Sequence, residues 1–375
     1  MPKTMRLFLV LIGLLTTQKA FADVVTHWPT TQPASVAVGQ ADAIYCPDMR
    51  SLLMALQQAR RTSNTHIKLA PVEYHVTSEL IVNGDGTTID GNGATLVSTA
   101  SFTGRIDPIT NEQAQGTCIV IQPFLGRAVP FDKQTGGLWL NPSGTCVALN
   151  KEAGGTPQNF LEWAPCQDAS GELMAKYAIF KPYIVPARNI TIENLSIKFA
   201  SNYSDGALIA KNAQNVVLRK LRVLNLPTDL GPGTGHGDLW ADGSQWITFD
   251  SCEGQAGIQI NSSLWCHVIN CKAACSTYEE GARFCVTEKC TLDSVRTNDI
   301  LCADIVFDSN TLLATNDNAG ALWGGTRITF TNNTVHGGVW CGDINSRECI
   351  VKGNRGRMFA DYSAKKTGNL IGPNP

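Results

Sequence analysis

Apolar and polar positions alternate over eight short segments in the second half of the chain. The first position of each segment is apolar, the third is apolar in all but one, which has Thr287, and the second is often polar. This is the period-two pattern of a half-buried β-strand. No segment carries a helix-length apolar stripe, so the pattern predicts strands and argues against a helical or leucine-rich solenoid. The segments begin at Ile190, Val216, Ile247, Cys266, Cys285, Ile305, Ile328 and Cys349.

The sixth position of these segments recurs at a nearly regular spacing. It is occupied by Leu195, Leu221, Cys252, Cys271, Cys290, Asn310, Asn333 and Asn354, separated by 26, 31, 19, 19, 20, 23 and 21 residues. A period in this range indicates stacked units that cannot bury their apolar faces alone. We therefore predict an all-β coil of parallel strands, one strand per repeat, stacked about 4.8 Å apart. The three asparagines are expected to form a ladder of side-chain amides, and the three cysteines to continue that column as small buried groups.

The front of the chain supports the same fold. Residues 51–61 predict a short amphipathic helix, and the strand-sized runs IKLAPVEYHV and TTIDGNGATL follow it. This opening, together with the later I-x-F-x-x-N repeats, resembles the pectin-lyase-like superfamily. The resemblance implies a right-handed parallel β-helix with a short N-terminal capping helix. It does not imply one activity, because the superfamily includes lyases, hydrolases, epimerases and non-enzymes.

The chain begins with the pattern of a secretory signal peptide. Lys3 and Arg6 precede the apolar run LFLVLIGLL, and Ala20-Phe21-Ala22 precedes Asp23. That run is too short to span a bilayer, and no later segment is apolar enough to do so. We therefore expect a monomer that is secreted or periplasmic, without a membrane span. The expected organisation is a signal peptide (1–22), a leader with the capping helix (23–66), the first coils (67–98), an irregular insertion or loop-decorated coils (99–187), regular coils (188–356) and a C-terminal tail (357–375).

Charge and cysteine content narrow the class of protein. The net charge is −2 and only 17% of residues are charged, which argues against a nucleic-acid partner because such domains show a basic footprint. Thirteen cysteines in an exported chain predict some disulfides. Cysteines in the inward columns are expected either to pair between neighbouring strands or to remain thiols. Better candidates for loop staples are Cys46, Cys118, Cys146, Cys166, Cys275, Cys302 and Cys341.

Two further observations concern metals and the insertion. The spacing of Cys266, Cys271 and Cys275 does not match the usual zinc pairs, so a metal ligand set stays unknown. Within the insertion, residues 143–168 slightly resemble one repeat of a ricin-type lectin, and that resemblance implies a disulfide between Cys146 and Cys166. One such repeat cannot make a trefoil, so we favour loops that decorate degenerate coils over a separate sugar-binding module.

A second strand is predicted just before several repeats, and its outward positions carry the candidate chemistry. The aligned segments are DGALIAK, HGDLWAD, QAGIQIN, AGALWGG and HGGVWCG, with Leu208, Leu239, Ile258, Leu322 and Val339 inward and Ile209, Trp240, Gln259, Trp323 and Trp340 outward. Indole rings can cover the apolar face of a sugar, and polar groups beside them predict a carbohydrate groove. The alternative is that the Asp-Gly and His-Gly pairs are turns and that loops cover the tryptophans.

Two reactions fit the polar residues of this face. Hydrolysis of a glycosidic bond uses two carboxylates, which Asp205, Asp238 and Asp242 from adjacent coils would supply. β-Elimination on a uronate uses a base and a group that neutralises the carboxylate, for which His236, Lys211 and Arg283 are candidates. Calcium on the aspartates is an open alternative for the cofactor.

Part of this region is similar to polygalacturonase-type hydrolases. The segment SNYSDGALIAKNAQNVVL matches their N-T-D-G segment, GHGDLWADGSQWITFDSC sits at their paired aspartates, and GARFCV is similar to their R-I-K. Only Asp205, Asp238 and Arg283 carry over. The second aspartate is missing, Gln255 and Ala256 replace the histidine, and Cys285 or Val286 replaces the lysine. The pectate-lyase signatures are absent from the sequence.

The sequence thus predicts an exported protein that cleaves an extracellular, acidic polysaccharide by hydrolysis or β-elimination. We assign catalysis to Asp205, His236 and Asp238. The expected substrate-binding residues are Lys211, Trp240, Asp242, Arg283, Trp323 and Trp340. The competing hypothesis is a non-catalytic carbohydrate-binding protein or adhesin on the same coil.

Overall fold

The computed structural model describes seventeen stretches of the chain, all within one compact unit, Val38–Pro375. The stretches are residues 43–98, 103–106, 113–115, 117–122, 138–140, 146–148, 187–199, 206–211, 213–224, 239–255, 257–261, 263–279, 281–297, 302–316, 319–341, 346–359 and 368–372. The predicted signal peptide lies outside them.

One helix, α1 (Met49–Ala59), lies near the start of the described chain. Its first turn is closed by a capping box, in which the backbone N–H of Ser51 donates to Asp48 Oδ1 (2.8 Å) and the backbone N–H of Asp48 donates to Ser51 Oγ (3.1 Å). The apolar side of the helix, including Leu52 and Leu56, is buried in the same core as the first strands. The predicted capping helix is therefore confirmed.

Strands make up most of the rest. Those before residue 150 are β1 (Ile44–Cys46), β2 (His66–Leu69), β3 (Glu73–Val76), β4 (Leu80–Val82), β5 (Thr88–Asp90), β6 (Thr95–Ser98), β7 (Thr103–Ile106), β8 (Gln113–Gln115), β9 (Ile119–Ile121), β10 (Leu138–Leu140) and β11 (Cys146–Ala148). Within the predicted insertion, β7 pairs with β8 and β10 with β11 in antiparallel fashion.

The later strands follow one another at the spacing of the repeat. They are β12 (Ala187–Glu193), β13 (Ser196–Phe199), β14 (Leu208–Lys211), β15 (Ala213–Arg219), β16 (Arg222–Leu224), β17 (Leu239–Asp242), β18 (Gln245–Asp250), β19 (Glu253–Gly254), β20 (Ile258–Asn261), β21 (His267–Ile269), β22 (Lys272–Glu279), β23 (Arg283–Glu288), β24 (Thr291–Thr297), β25 (Ala303–Asp308), β26 (Thr311–Leu312), β27 (Gly320–Leu322), β28 (Thr329–Thr331), β29 (Thr334–Cys341), β30 (Ile350–Lys352), β31 (Arg355–Phe359) and β32 (Leu370–Ile371).

These strands form two long sheets in which every described pairing is parallel. The first sheet has twelve strands in the order β1-β2-β5-β12-β15-β18-β21-β23-β25-β28-β30-β32, and the second has sixteen. The chain passes from the first sheet to the second and back once per repeat, for example from β21 through β22 to β23. Such a path is a right-handed parallel β-helix, which confirms the predicted fold class.

The register of the eight predicted segments is confirmed throughout. Ile190 is paired with Val216 and Val216 with Ile247 in the first sheet. The same register continues through His267 and Val286 and extends to the strands that begin near residue 350. Side chains at the first and third positions point into the solenoid and are buried. The core is therefore a stack of matching apolar layers.

The predicted asparagine ladder is also present. The Nδ2 group of Asn310 donates to Asn333 Oδ1 (3.0 Å), and that of Asn333 donates to Asn354 Oδ1 (3.0 Å). Each Oδ1 also accepts the backbone N–H of the residue one coil earlier, at 2.8 and 2.9 Å. All three amides are buried. The ladder thus satisfies backbone groups at a turn that would otherwise be buried without partners.

Thiols continue this column toward the N-terminus. The backbone N–H of Cys290 donates to Asn310 Oδ1 (2.9 Å), that of Cys271 donates to Cys290 Sγ (3.4 Å), and that of Cys252 donates to Cys271 Sγ (3.4 Å). Sulfur is a weak acceptor. The thiols therefore occupy the place of the amide oxygen and make weaker bonds than the asparagines.

The expectation of loop disulfides is wrong for the cysteines that the structure describes in full. The five staple candidates Cys46, Cys118, Cys275, Cys302 and Cys341 are all buried thiols that form no disulfide. Cys46, Cys118, Cys302 and Cys341 belong to the apolar core and fill it as small groups. The side chain of Cys146 and the whole of Cys166 lie outside the described residues, so their pairing stays a prediction.

The burial of these thiols predicts slow reaction with a thiol reagent. Burial raises the pKa of Cys118 and of Cys341 to about 12, and the thiolate is the reactive form. Titration with Ellman's reagent, without reductant, should detect few thiols in the folded protein and at least the eleven described thiols in denaturant. Fewer than eleven in denaturant would contradict the described thiol state.

A column of residues with a left-handed backbone conformation, in which φ is positive, marks the turn that leads back into the first sheet. It includes Trp246, Trp265 and Phe284, with φ of 52°, 53° and 55°. Aromatic residues rarely adopt this conformation. Here the rings stack along the coil axis, with centroids 5.0 Å apart between the tryptophans and 5.8 Å apart between Trp265 and Phe284. Ring stacking between coils holds the turn, an arrangement that the sequence patterns do not indicate.

Candidate functional site

Two columns of outward side chains run side by side along the second sheet. The first column is Ile209, Trp240, Gln259, Thr277, Arg296, Ala321, Trp340 and Phe359. The second, two residues further along each strand, contains Lys211, Asp242, Asn261 and Glu279. Trp323 follows Ala321 by two residues and continues the second column. We call these two columns the strip. Its members are about 4.8 Å apart along the coil axis because each comes from the next coil.

Polar groups of the strip are held by one another. Lys211 Nζ lies 4.0 Å from Asp242 Oδ2, with both side chains largely buried. One coil further, Gln259 Nε2 donates to Glu279 Oε2 (3.1 Å). Partial burial makes these charges more effective than they would be in bulk water. The strip therefore offers two carboxylates and one ammonium group in fixed positions.

Two buried polar atoms of the strip lack a hydrogen-bond partner. They are the indole Nε1 of Trp240 and the amide Oδ1 of Asn261, whose residue is 4% exposed. Buried polar atoms are nearly always paired, so such exceptions call for an explanation. Each atom exposes less than 1 Å², so a water molecule or a ligand hydroxyl would have to enter between the neighbouring side chains to pair with it.

Aromatic side chains dominate the C-terminal end of the strip. Trp323 is 48% exposed and Trp340 is 38% exposed. The ring of Trp340 packs against that of Phe359, with centroids 5.2 Å apart and planes inclined by 34°. Exposed, supported indoles of this kind are common platforms for flat apolar ligand faces.

The structure brings most of the predicted binding residues to one face. Lys211, Trp240, Asp242, Trp323 and Trp340 all lie on the strip. The three residues assigned to catalysis, Asp205, His236 and Asp238, lie outside the described residues. Two of them directly precede described parts of the strip in the chain, because β14 follows Asp205 closely and β17 begins at the residue after Asp238.

Arg283 is not on the strip. It opens β23 in the first sheet, is 3% exposed, and places its Nη2 atom 3.4 Å from Asp304 Oδ2. Asp304 also accepts two hydrogen bonds from Arg327, at 2.6 and 2.8 Å. The guanidinium of Arg283 therefore belongs to a buried ion-pair cluster of the first sheet, and we leave it out of the candidate site.

The predicted register was wrong for the segment that contains Trp323. The sequence alignment paired Leu322 with Val339, whereas the structure pairs Gly320 with Val339. Ala321 therefore lies beside Trp340, and Trp323 is two residues beyond Ala321. The period-two pattern fits both registers equally well. Glycine at position 320 suits the observed pairing, because a Cβ there would come within 3.0–3.2 Å of the side chains of Val339 and Val295.

Two coils of the strip were missed in the sequence. The inward residue of one is Ser276, whose hydroxyl lies 2.9 Å from Thr287 Oγ1, and the Tyr278 hydroxyl lies 2.6 Å from the same atom. A polar group inside the core broke the expected alternation. The strip residues Thr277 and Glu279 were therefore not identified. Arg296 was also missed, although the inward residue before it, Val295, is apolar; the spacing of the neighbouring repeats could have located both coils.

Among the described residues, no group of three or more His, Cys, Asp or Glu side chains is arranged to hold a metal ion. Within that same part of the chain, no helix has the length and apolar character needed to cross a bilayer.

Comparison with known proteins gives no family. No protein-family model matches the chain, and no curated protein is significantly similar to it. Among solved structures, it is similar to the surface adhesin PfbA of Streptococcus pneumoniae (TM-score 0.43, 9% identity, 86% of this chain and 85% of that one). It is also similar to the AlgE6 A-module, a mannuronan C-5 epimerase of Azotobacter vinelandii (0.39, 14%, 90% and 98%). A third is DFA-IIIase from Arthrobacter chlorophenolicus (0.39, 11%, 94% and 98%). At these scores and identities, the likenesses assign neither a family nor an activity.

Proposed function

We propose that this protein is an exported β-helix protein that binds an extracellular, acidic polysaccharide along the strip and cleaves it by hydrolysis or β-elimination. The observation that carries the proposal is the composition of one outward face. Carboxylates at Asp242 and Glu279, an orphaned donor and acceptor at Trp240 and Asn261, and exposed indoles share that face. A face with only a structural role has no need for such a combination.

The length of the strip suits a polymer. It extends over consecutive coils from Ile209 to Phe359, with one outward position per coil. Polar residues occupy its middle and aromatic residues its C-terminal end. The middle positions Gln259, Asn261 and Thr277 are buried. A saccharide chain lying along the coil axis would therefore contact the partly exposed Lys211, Trp240 and Asp242 toward one end of the strip and the indoles at the other, so its polar edges and its ring faces would each find a partner.

For the chemistry we propose Asp205, His236 and Asp238, the residues to which the sequence assigns catalysis. In hydrolysis, one carboxylic acid protonates the leaving oxygen and a second carboxylate activates water or attacks the sugar. In β-elimination, His236 would take the proton next to the uronate carboxylate, and the ammonium group of Lys211 would neutralise that carboxylate. The glycosidic C–O bond would break as the ring double bond forms, and the leaving oxygen would be protonated. Asp242 and the indoles would hold the chain in either case.

The cellular setting and the superfamily are part of the proposal. The signal-peptide pattern of residues 1–22 supports a secreted or periplasmic monomer. The confirmed solenoid, with its capping helix and asparagine ladder, supports membership of the pectin-lyase-like superfamily. Calcium on the aspartates is the cofactor to test.

An assay of the mature chain, residues 23–375, tests the proposal. The protein is incubated with a panel of uronate and neutral polysaccharides, with calcium or with a chelator, while reducing ends and ultraviolet absorbance of unsaturated uronates are followed. Reducing ends on a uronate polymer are the expected result, and accompanying absorbance identifies elimination. Binding to a polymer without the formation of new reducing ends would favour a non-catalytic carbohydrate-binding protein or adhesin over an enzyme. No binding at all would overturn the proposal.

A further inference from the structure

A gap interrupts the first column of the strip at Ala321. The backbone register places Arg296 one coil before it and Trp340 one coil after it. Two coils separate the Cα atoms of the flanking residues, which is about 10 Å. The side chain between them is the methyl group of Ala321, which is 9% exposed, and Trp323 follows it by two residues in the second column. We call this arrangement the Ala321 slot.

The C-terminal wall of the slot is supported from behind. Phe359, one coil beyond Trp340, packs against the indole at a centroid distance of 5.2 Å. The Arg357 guanidinium lies 5.9 Å from the centre of the Phe359 ring. Gly338 makes room for this ring, because a Cβ there would clash with Phe359 Cε2. The stack fixes Trp340 from one side and leaves its other side toward the coil of Ala321.

The N-terminal wall of the slot carries a positive charge. Arg296 is partly exposed on the outward face, and no described carboxylate forms an ion pair with it. Glu279, a nearby acid of the strip, accepts a hydrogen bond from Gln259 instead. A guanidinium with free N–H groups binds carboxylates through two parallel hydrogen bonds. The charge of the slot is therefore complementary to an anionic ligand.

We infer that the Ala321 slot binds one hexuronate unit of the polysaccharide, with its ring against Trp340 and its carboxylate on Arg296. This inference rests on the proposed function and adds the chemical class of the sugar at a defined place. Neither wall alone selects a uronate. An indole binds the ring of a neutral sugar equally well, and a guanidinium binds any small anion. Together, on either side of Ala321, they suit a sugar ring that bears a carboxylate.

Binding of defined hexamers to the mature chain tests the slot. The probes are hexamers of galacturonate, mannuronate and guluronate and the carboxyl-reduced form of each, measured calorimetrically in an Asp238→Asn background to limit cleavage. At least one uronate hexamer should bind ~10-fold more tightly than its reduced form, the ratio expected from one charge-assisted pair. Arg296→Gln should bring the affinity for the uronate hexamer close to that for its reduced form, and it should leave the affinity for the reduced form unchanged.

Two further variants separate the walls of the slot. Trp340→Ala and Ala321→Leu should weaken the uronate and the reduced hexamer alike, because one removes the ring platform and the other fills the space. Circular dichroism and thermal unfolding check that each variant is folded. Equal affinity of the parent and Arg296→Gln for every uronate hexamer would overturn the slot. Binding of neutral probes alone would overturn the uronate inference and leave carbohydrate binding standing, whereas no binding to any probe or to the neutral panel would overturn the proposed function itself.

Discussion

Replacing Asn333 by alanine is expected to lower the free energy of unfolding by about 3–5 kcal/mol. The side chain accepts from the backbone N–H and the Nδ2 group of Asn310, at 2.8 and 3.0 Å. It donates to the backbone carbonyl of Phe307 and to Asn354 Oδ1, both at 3.0 Å. Alanine leaves these partners buried in the turn without a replacement, at roughly 1 kcal/mol for each lost bond. Urea unfolding followed by circular dichroism measures the change.

The neighbouring Asn332 provides a matched control. Its side chain is exposed and makes one bond, to Asp308 Oδ1 at 2.8 Å. Its φ of 56° suits glycine, so Asn332→Gly should cost less than about 1 kcal/mol. Equal destabilisation by the two substitutions would contradict a stabilising role that is specific to the buried ladder.

Replacing Asp238 by asparagine is expected to reduce kcat on the cleaved polysaccharide by about 10²- to 10⁴-fold, the usual contribution of a positioned acid or base. The residue directly precedes Leu239, the first residue of β17. It stands two residues before Trp240 and four before Asp242, which is the period-two spacing of the strip residues. Asparagine keeps the size of the side chain and removes its proton chemistry. Initial rates at saturating substrate measure the effect.

Asp250→Asn serves as the control for that substitution. Asp250 ends β18 on the first sheet, where Arg219 Nε donates to its Oδ2 at 2.9 Å. Burial raises its pKa, but hydrogen bonds from Ser251 and Arg219 outweigh burial and hold the pKa below its ordinary value. The variant should therefore lose some stability and keep its kcat. A similar loss of kcat in both variants would indicate a general effect of charge or folding and would remove Asp238 from the reaction.

The fold follows from the sequence because each repeat carries the same inward pattern. Stacking of identical positions, such as Asn310 on Asn333, turns a weak local pattern into a long register that few other folds satisfy. The β-strand, the turn and the ladder were therefore predictable without any knowledge of contacts. The capping helix was predictable for a similar reason, since its apolar positions recur at the helical period.

Parts of the site were beyond prediction because they depend on contacts between coils. Ser276 is polar and yet inward, and only its partner Thr287 on the next passage of the chain explains it. The register at Ala321 depends on a close approach of Gly320 to Val339 that periodicity does not indicate. Arg283 was assigned to the groove from its charge and from the polygalacturonase resemblance, whereas its guanidinium pairs with Asp304 in the first sheet. In each case a neighbour distant in sequence decides the position of the side chain.

Hydroxyl-radical footprinting on the full mature chain tests most directly the claim that the strip is the polysaccharide site. The protein is oxidised with and without the uronate polymer that it cleaves or binds, and oxidation is quantified by peptide mass spectrometry. The strip tryptophans Trp323 and Trp340 should be protected by the polymer. The stacked Trp265 and Phe284, which lie at the turn into the first sheet, should be oxidised equally in both samples. Protection of the turn stack with unchanged oxidation of the strip would contradict the account.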